Sequence, residues 1–190
     1  MKTSEKIINN PDKFWEELTN ETELVIQLEL EISGDPEFKI NINGSTVYDQ
    51  IASEIIEIKY PYLDQTKISV DMWMHSKTDN DTVVDDQGNI ISDKYIKIKK
   101  FMVNNFSLDK NFNFYHDKLK YYDQNNKEVR VEHGFWFNNH RLNLTFTQPF
   151  IHWYLEQSSG TNVNETMSYR KGLSADNVFY TLVKNLDLLD

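Results

Sequence analysis

The residues best suited to chemistry lie in one acidic stretch, Thr78-Asp79-Asn80-Asp81-Thr82-Val83-Val84-Asp85-Asp86-Gln87-Gly88-Asn89, with Asp93 just beyond it. Five aspartates within fifteen residues, among the carbonyls of a loop, offer the hard oxygen ligands that calcium takes. The spacing is not that of an EF-hand, which needs acids at alternate positions, a glycine at the sixth and a glutamate at the twelfth. Glutamate is absent from this stretch. Beside the calcium reading stands a plainer one, in which Asp85-Asp86-Gln87-Gly88-Asn89 is a solvated turn joining Val83-Val84 to Ile90-Ile91 in a hairpin.

Catalytic arrangements are weaker. His133 and His140 flank Gly134 and Asn138-Asn139, and His75 precedes the acidic stretch, but no HxH or HExxH spacing joins them. No pair of carboxylates stands out for glycoside hydrolysis, and there is no GxSxG, P-loop or GxGxxG. The absence of cysteine excludes thiolate nucleophiles, disulfides, Cys-ligated zinc and iron–sulfur clusters together. Thirty acidic against twenty basic side chains give a formal charge of -10, which repels phosphate backbones, so nucleic acid is not an expected partner. No window approaches the roughly 18 apolar residues of a membrane span. The polar start Met1-Lys2-Thr3-Ser4-Glu5-Lys6 carries no legible secretory signal, and synthesis in the cytoplasm is expected.

These residues must be positioned by the elements around them, and the dominant period is two. Leu24, Ile26, Leu28, Leu30 and Ile32 alternate with Val25, Gln27, Glu29 and Glu31, the pattern of a half-buried strand. Gly34-Asp35-Pro36 makes a turn, and Phe38, Ile40 and Ile42 alternate up to Asn43-Gly44, a strong hairpin signal. Two antiparallel strands and a tight turn are therefore expected before Val47. The pattern repeats at Ile56, Ile58 and Tyr60; at Ile68, Val70, Met72 and Met74; at Tyr95, Ile96, Ile98, Phe101 and Val103; and at Leu142, Leu144 and Phe146. Shorter pieces at residues 112–115, 119–122, 129–131 and 135–137 read as a meander or aromatic loops.

The ends of the chain read as helical. Asn10-Pro11 followed by Asp12 predicts a short N-terminal helix carrying Phe14, Trp15 and Leu18. Pro149 opens a helical segment from Phe150 to Gln157 with Phe150, Trp153 and Tyr154 on one face. After a polar arm, residues 174–190 predict an amphipathic helix whose stripe includes Val178, Phe179, Leu182, Val183 and Leu186. That stripe docks either on its own sandwich or on a neighbouring subunit. The expected organisation is a lead-in over 1–22, a β-sandwich domain over 23–157, and an arm with its helix over 158–190. The expected fold is mainly β, an antiparallel jelly-roll-like β-sandwich with short N- and C-terminal helices.

A resemblance sharpens these expectations. Gly34-Asp35-Pro36-Glu37-Phe38-Lys39-Ile40-Asn41-Ile42-Asn43-Gly44, then Ile68-Ser69-Val70 running into Thr78-Asp79-Asn80-Asp81, then Asp93-Lys94-Tyr95-Ile96-Lys97-Ile98, resembles the calcium-dependent xylan-binding modules. The likeness covers roughly residues 24 to 105 and departs from the family in the inserted segment Thr82 to Ser92. It implies a β-sandwich in which Asp79, Asp81 and Asp93 hold calcium, with Asp85 and Asn80 beside them. It also implies an aromatic platform for a sugar ring, for which Trp73, Tyr95 and Trp136 are the candidates. The run from Phe135-Trp136-Phe137 through Pro149-Phe150-Ile151-His152-Trp153-Tyr154 is similar to small proteins of tailed phages of the T4-like marine type. That second likeness implies a virion setting.

The leading expectation is thus a non-enzymatic virion structural or assembly protein on a carbohydrate-binding-like sandwich, partnered by other phage structural proteins or its own copies. The alternatives are a free-standing calcium-dependent protein binding a surface glycan, and a polysaccharide-acting hydrolase.

Overall fold

A computed structural model of the chain describes residues 22–61, 67–104, 106–108, 119–123, 125–129, 136–137, 140–150 and 153–154. The predicted N-terminal helix and the C-terminal stripe at Val178, Phe179, Leu182, Val183 and Leu186 lie outside the described residues. The fold is mainly β and antiparallel. The chain falls into two compact units, of which one comprises Leu24–Pro61 and Lys67–Phe146 and contains the sandwich. In the other, the backbone is helical at Phe150, Trp153 and Tyr154, and the Phe150 ring meets those of Trp153 (5.4 Å between centroids) and Tyr154 (6.0 Å), as the 3–4 spacing predicts. Among the described residues no helix is long and apolar enough to cross a membrane.

In chain order the strands are β1 (Glu23–Ser33), β2 (Glu37–Ile42), β3 (Ser45–Ile51), β4 (Ile55–Pro61), β5 (Lys67–Met74), β6 (Val83–Val84), β7 (Ile90–Ser92), β8 (Tyr95–Val103), β9 (Phe106–Ser107), β10 (Leu119–Tyr122), β11 (Glu128–Val129), β12 (Trp136–Phe137) and β13 (Arg141–Thr147). One sheet runs β12-β8-β1-β4, with β9 also paired to β8. The second runs β11-β10-β13-β5-β2-β3. β6 and β7 form a separate two-stranded ribbon.

Each large sheet turns one apolar face inward, and the sandwich-like core follows from that alternation. From the first sheet Leu24, Ile26, Leu28, Leu30, Ile56, Ile58, Ile96, Ile98, Phe101 and Val103 are buried; from the second, Phe38, Ile40, Ile42, Ile68, Val70, Met72, Met74, Leu142, Leu144 and Phe146. The expected strands at Leu24, Phe38, Ile56, Ile68, Tyr95 and Leu142 are all present. The expectation that the first two are hairpin partners is corrected. β2 pairs with β3 and β5, and β1 pairs with β8. Gly34, at φ 71°, and Pro36, which lacks an N–H, carry the chain from one sheet to the other instead of closing a ladder.

Two asparagines fasten turns to neighbouring strands by the same device. Asn43, at φ 50°, and Gly44, at φ 80°, form the tight β2–β3 turn. The Asn43 N–H donates to the Ser69 carbonyl (2.8 Å), and its Oδ1 accepts from the Ser69 N–H (2.8 Å). After β8, Asn104, at φ 48°, donates its N–H to the Val25 carbonyl (2.9 Å), while its Oδ1 accepts from the Val25 N–H (2.7 Å). Asparagine tolerates the left-handed region and supplies the extra acceptor that glycine lacks.

Candidate functional site

The acidic stretch folds as the plainer reading describes. β6 and β7 pair in a hairpin whose turn is closed by Asp85. Its Oδ1 accepts from the N–H groups of Gln87 (2.9 Å) and Asn89 (2.8 Å), and its Oδ2 accepts from Asn89 Nδ2 (2.9 Å). The Asn89 side chain and backbone, with Gln87 and Gly88, hold the Asp85 carboxyl below the usual range. Gly88 takes φ 86°, which the turn requires.

Asp81 and Asp93 bind this hairpin's base to lysines. Asp81 Oδ2 accepts from the N–H (2.7 Å) and hydroxyl (2.8 Å) of Thr78 around the short 3-10 turn Asp79–Asp81, and Lys94 Nζ lies 3.1 Å from Oδ1. The Thr78 backbone, then its hydroxyl, then Lys94 push the Asp81 carboxyl down to about 2. Asp93 Oδ1 accepts from Lys77 Nζ (2.6 Å) and Thr82 Oγ1 (2.7 Å). Desolvation works against the charged Asp93, but Lys77, Thr82 and the Lys94 N–H outweigh it, and the carboxyl stays below its ordinary value. Asp79 is exposed.

Calcium requires six or more oxygens converging on one point. Here Asp81 and Asp93 each meet an ammonium group, and Asp85 is engaged by its own turn. Among the described residues no group of three or more acidic, histidine or cysteine side chains is placed to hold a metal ion. The described residues of this loop do not fit a calcium cage.

The aromatic candidates are separated by the same alternation that builds the core. With Met72 and Met74 facing inward, Trp73 lies on the outward face of the second sheet. Tyr95 lies on the outward face of the first sheet, where its phenol donates to Glu31 Oε1 (2.8 Å). These two cannot belong to one platform. Trp136 is in β12, opposite Lys97 of β8.

Around Trp73, however, the structure gathers groups that the sequence reading did not connect. A cleft of about 370 Å³ is lined by Trp73, Met74, His75, Lys77, Asp123, Asn126 and Arg141, a size within the roughly 300–1,000 Å³ range of small-ligand sites. Trp73 comes from β5, Arg141 opens β13, and Asp123 and Asn126 belong to the β10–β11 turn. That turn is fixed by Asp123 Oδ1, which accepts from the N–H groups of Asn125 (2.8 Å) and Lys127 (2.9 Å). Arg141 lays its guanidinium 4.9 Å from the Tyr122 ring centroid, a cation–π stack. Lys39, held by Asp49 at 2.8 Å, places its ammonium 5.7 Å from the Trp73 ring centroid. His75 faces carboxylates on both ring nitrogens, with Glu37 Oε2 3.5 Å from Nδ1 and Asp49 Oδ1 3.2 Å from Nε2.

A hydrogen-bonded belt continues from the cleft along the same outward face. Asn143 Nδ2 donates to Ser69 Oγ (2.8 Å) and to Asp71 Oδ1 (3.1 Å), and the Thr145 hydroxyl donates to Asn143 Oδ1 (3.1 Å). Every one of these side chains is half-buried. One signal could have found this face. Leu142, Leu144 and Phe146 point inward, so Arg141, Asn143 and Thr145 must point outward, on the same side of the sheet as Ser69, Asp71 and Trp73.

Comparison with family models, with curated proteins and with solved structures finds no match for the chain. The functional reading therefore stands on the geometry above.

Proposed function

We propose that this chain is a non-enzymatic saccharide-binding β-sandwich whose ligand lies in the Trp73 cleft on the outward face of the six-stranded sheet. The observation that carries the proposal is the convergence, on one cavity of about 370 Å³, of an indole, an exposed amide turn and a guanidinium stacked on a phenol ring. Sugars offer an apolar ring face ringed by hydroxyls, and aromatic surfaces beside amide, hydroxyl and guanidinium groups are the complementary chemistry. Binding in place of turnover is favoured because the nearby carboxylates are engaged: Asp123 by its turn, Asp71 by Asn143, and Asp93 by Lys77.

The test is calorimetry of the full chain against a broad oligosaccharide panel, with Trp73→Ala beside it. Removal of the indole should weaken a bound oligosaccharide by about 5- to 150-fold, since aromatic anchors in such clefts carry on the order of 1–3 kcal/mol. Equal affinity in the variant, or no ligand across the panel, would reject the proposal.

A second reading, an assembly element of a virus particle, is favoured by one observation. The β6–β7 ribbon exposes Val83, Val84, Ile90 and Ile91 at 48% to 67%, a run of apolar side chains outside both core sheets. In that reading the occupant is a neighbouring copy of the chain. Absence of the protein from purified particles by mass spectrometry, or monomers unaffected by Ile90→Asp with Ile91→Asp, would reject it.

A further inference from the structure

We infer that the cleft is built for an acidic sugar, whose carboxylate is taken by the Arg141 guanidinium while its ring lies against Trp73; this rests on the saccharide reading above. Four charged or titratable side chains line the cavity: His75, Lys77, Asp123 and Arg141. Three of them are already matched within the protein. Lys77, 8% exposed, meets Asp93 at 2.6 Å; His75 lies between Glu37 and Asp49; Asp123 accepts two backbone N–H groups.

Arg141 differs. Its Nε is buried without a hydrogen-bond partner among the described residues, and its ion pair there, with Asp71 Oδ1 at 3.6 Å, is longer than a hydrogen bond and looser than the contacts of the other three. That same oxygen already accepts from Asn143. The guanidinium carries five donors in a rigid plane, and the stack on Tyr122 fixes that plane while the side chain stays 38% exposed. A held, planar guanidinium whose terminal nitrogens face a ligand matches a carboxylate through two parallel hydrogen bonds, a geometry that a point-charge ammonium cannot reproduce. The cleft also lies in a protein of formal charge -10, so an anionic ligand gains nothing from the overall field and must be recognised by a local cation. Of the two cations in the lining, Arg141 is the more exposed and has the looser ion pair.

The experiment is calorimetry of the full chain with oligogalacturonate, oligoglucuronate, alginate oligomers and sialyl-oligosaccharides, each paired with its carboxyl-reduced neutral counterpart and with a sulfated neutral oligosaccharide as a further arm. At least one acidic member should bind ten times or more tighter than its reduced counterpart, with affinity falling as salt rises. Arg141→Gln should erase that preference, and Arg141→Lys should restore only part of it. If reduced counterparts bind as tightly and Trp73→Ala still abolishes binding, the acidic-sugar inference is overturned while the saccharide reading stands. If only the sulfated arm binds, the carboxylate assignment is overturned, and if nothing binds, both fall. The wild-type comparison of acidic with reduced sugars decides the matter even if Arg141→Gln fails to fold.

Discussion

Deleting Lys99 should be far less harmful than deleting Lys97, although both changes remove one lysine from the same strand. In the β1–β8 ladder Glu29 pairs with Lys100 and Leu30 with Ile98, so Lys99 is an extra residue that no β1 residue opposes. The bulge explains a phase break: Ile96 and Ile98 are buried, then Phe101 and Val103, three residues on instead of two. Without Lys99, Ile98 and Lys100 become neighbours, the ladder is continuous, and every inward residue keeps its face. Without Lys97, Ile96 must exchange faces with Tyr95, because the period of a strand is two. Ile96 is fully buried, and losing it from the core resembles a large-to-small substitution at a well-packed site, roughly 2–5 kcal/mol. The two deletions should therefore differ by about that amount, or roughly 4–20 °C in melting temperature at some 2–4 °C per kcal/mol for a chain of this size. Urea and thermal unfolding followed by circular dichroism measure the difference directly. Equal losses, or a greater loss for the Lys99 deletion, would refute the bulge as the origin of the phase break.

The remaining expectations concern the loop acids and the turns. Millimolar calcium should leave the melting temperature where EDTA leaves it, since Asp81 and Asp93 already meet Lys94 and Lys77; a rise that vanishes with Asp79→Ala and Asp81→Ala would overturn that account. Asp81, whose carboxyl lies at about 2 against an ordinary 3.8, stabilises the fold above its unfolded value and ceases to do so as pH falls through the folded one. Melting temperature measured between about pH 4 and pH 2 should accordingly fall less steeply in Asp81→Asn than in the parent, and parallel curves would count against the assignment. At the β2–β3 turn, Asn43→Ala should cost roughly 1–3 kcal/mol, the left-handed backbone plus the bond from the Ser69 N–H, whereas Asn43→Gly should cost less because glycine accepts a positive φ without strain. Chemical denaturation ranks the two variants, and the reverse order would show that the side-chain acceptor outweighs the backbone.

Strand positions were legible because inward residues are apolar and outward ones mostly polar in β1, β2, β5, β8 and β13, and even the bulge shows in the three-residue step from Ile98 to Phe101. β3 was not, because both of its faces are largely open at the edge of its sheet, and an open strand has no alternation to display. Neighbours were not legible either. Alternation states which face a residue takes and is silent on which strand lies beside it, so β1 and β2, adjacent in sequence, could not be assigned to different sheets. The hydrogen-bond partners of the acidic stretch were hidden for a related reason. Its countercharges come from Lys77 and Lys94 and its further donors from the Thr78 and Thr82 hydroxyls, whose positions beside Asp81 and Asp93 exist only once the chain folds. The cleft required three separate segments to meet, and among its members only Trp73 is a sugar-platform candidate in the sequence.

The two outward faces differ in a way that bears on which one is a site. On the first sheet outward side chains of β1, β4 and β8 pair at the surface, Lys99 with Glu31 by an ion pair that salt would screen and Gln27 with Glu57 by a hydrogen bond. On the second sheet Ser69, Asp71, Asn143 and Thr145 are half-buried and joined by hydrogen bonds, with Trp73 and the Arg141–Tyr122 stack in the cleft beside them. Holding several rotamers in one arrangement costs conformational entropy, and a face that only needed to meet water would gain little from it. A face that must receive a ligand gains a great deal, because ordering completed in the free protein is not charged against binding. In the proposed function, the hydrogen-bonded network of Ser69, Asp71, Asn143 and Thr145 is the support that holds Asp71 beside the guanidinium before a ligand arrives. A loosened network, as in Asn143→Ala, should weaken binding with little change in the contacts made by the ligand itself.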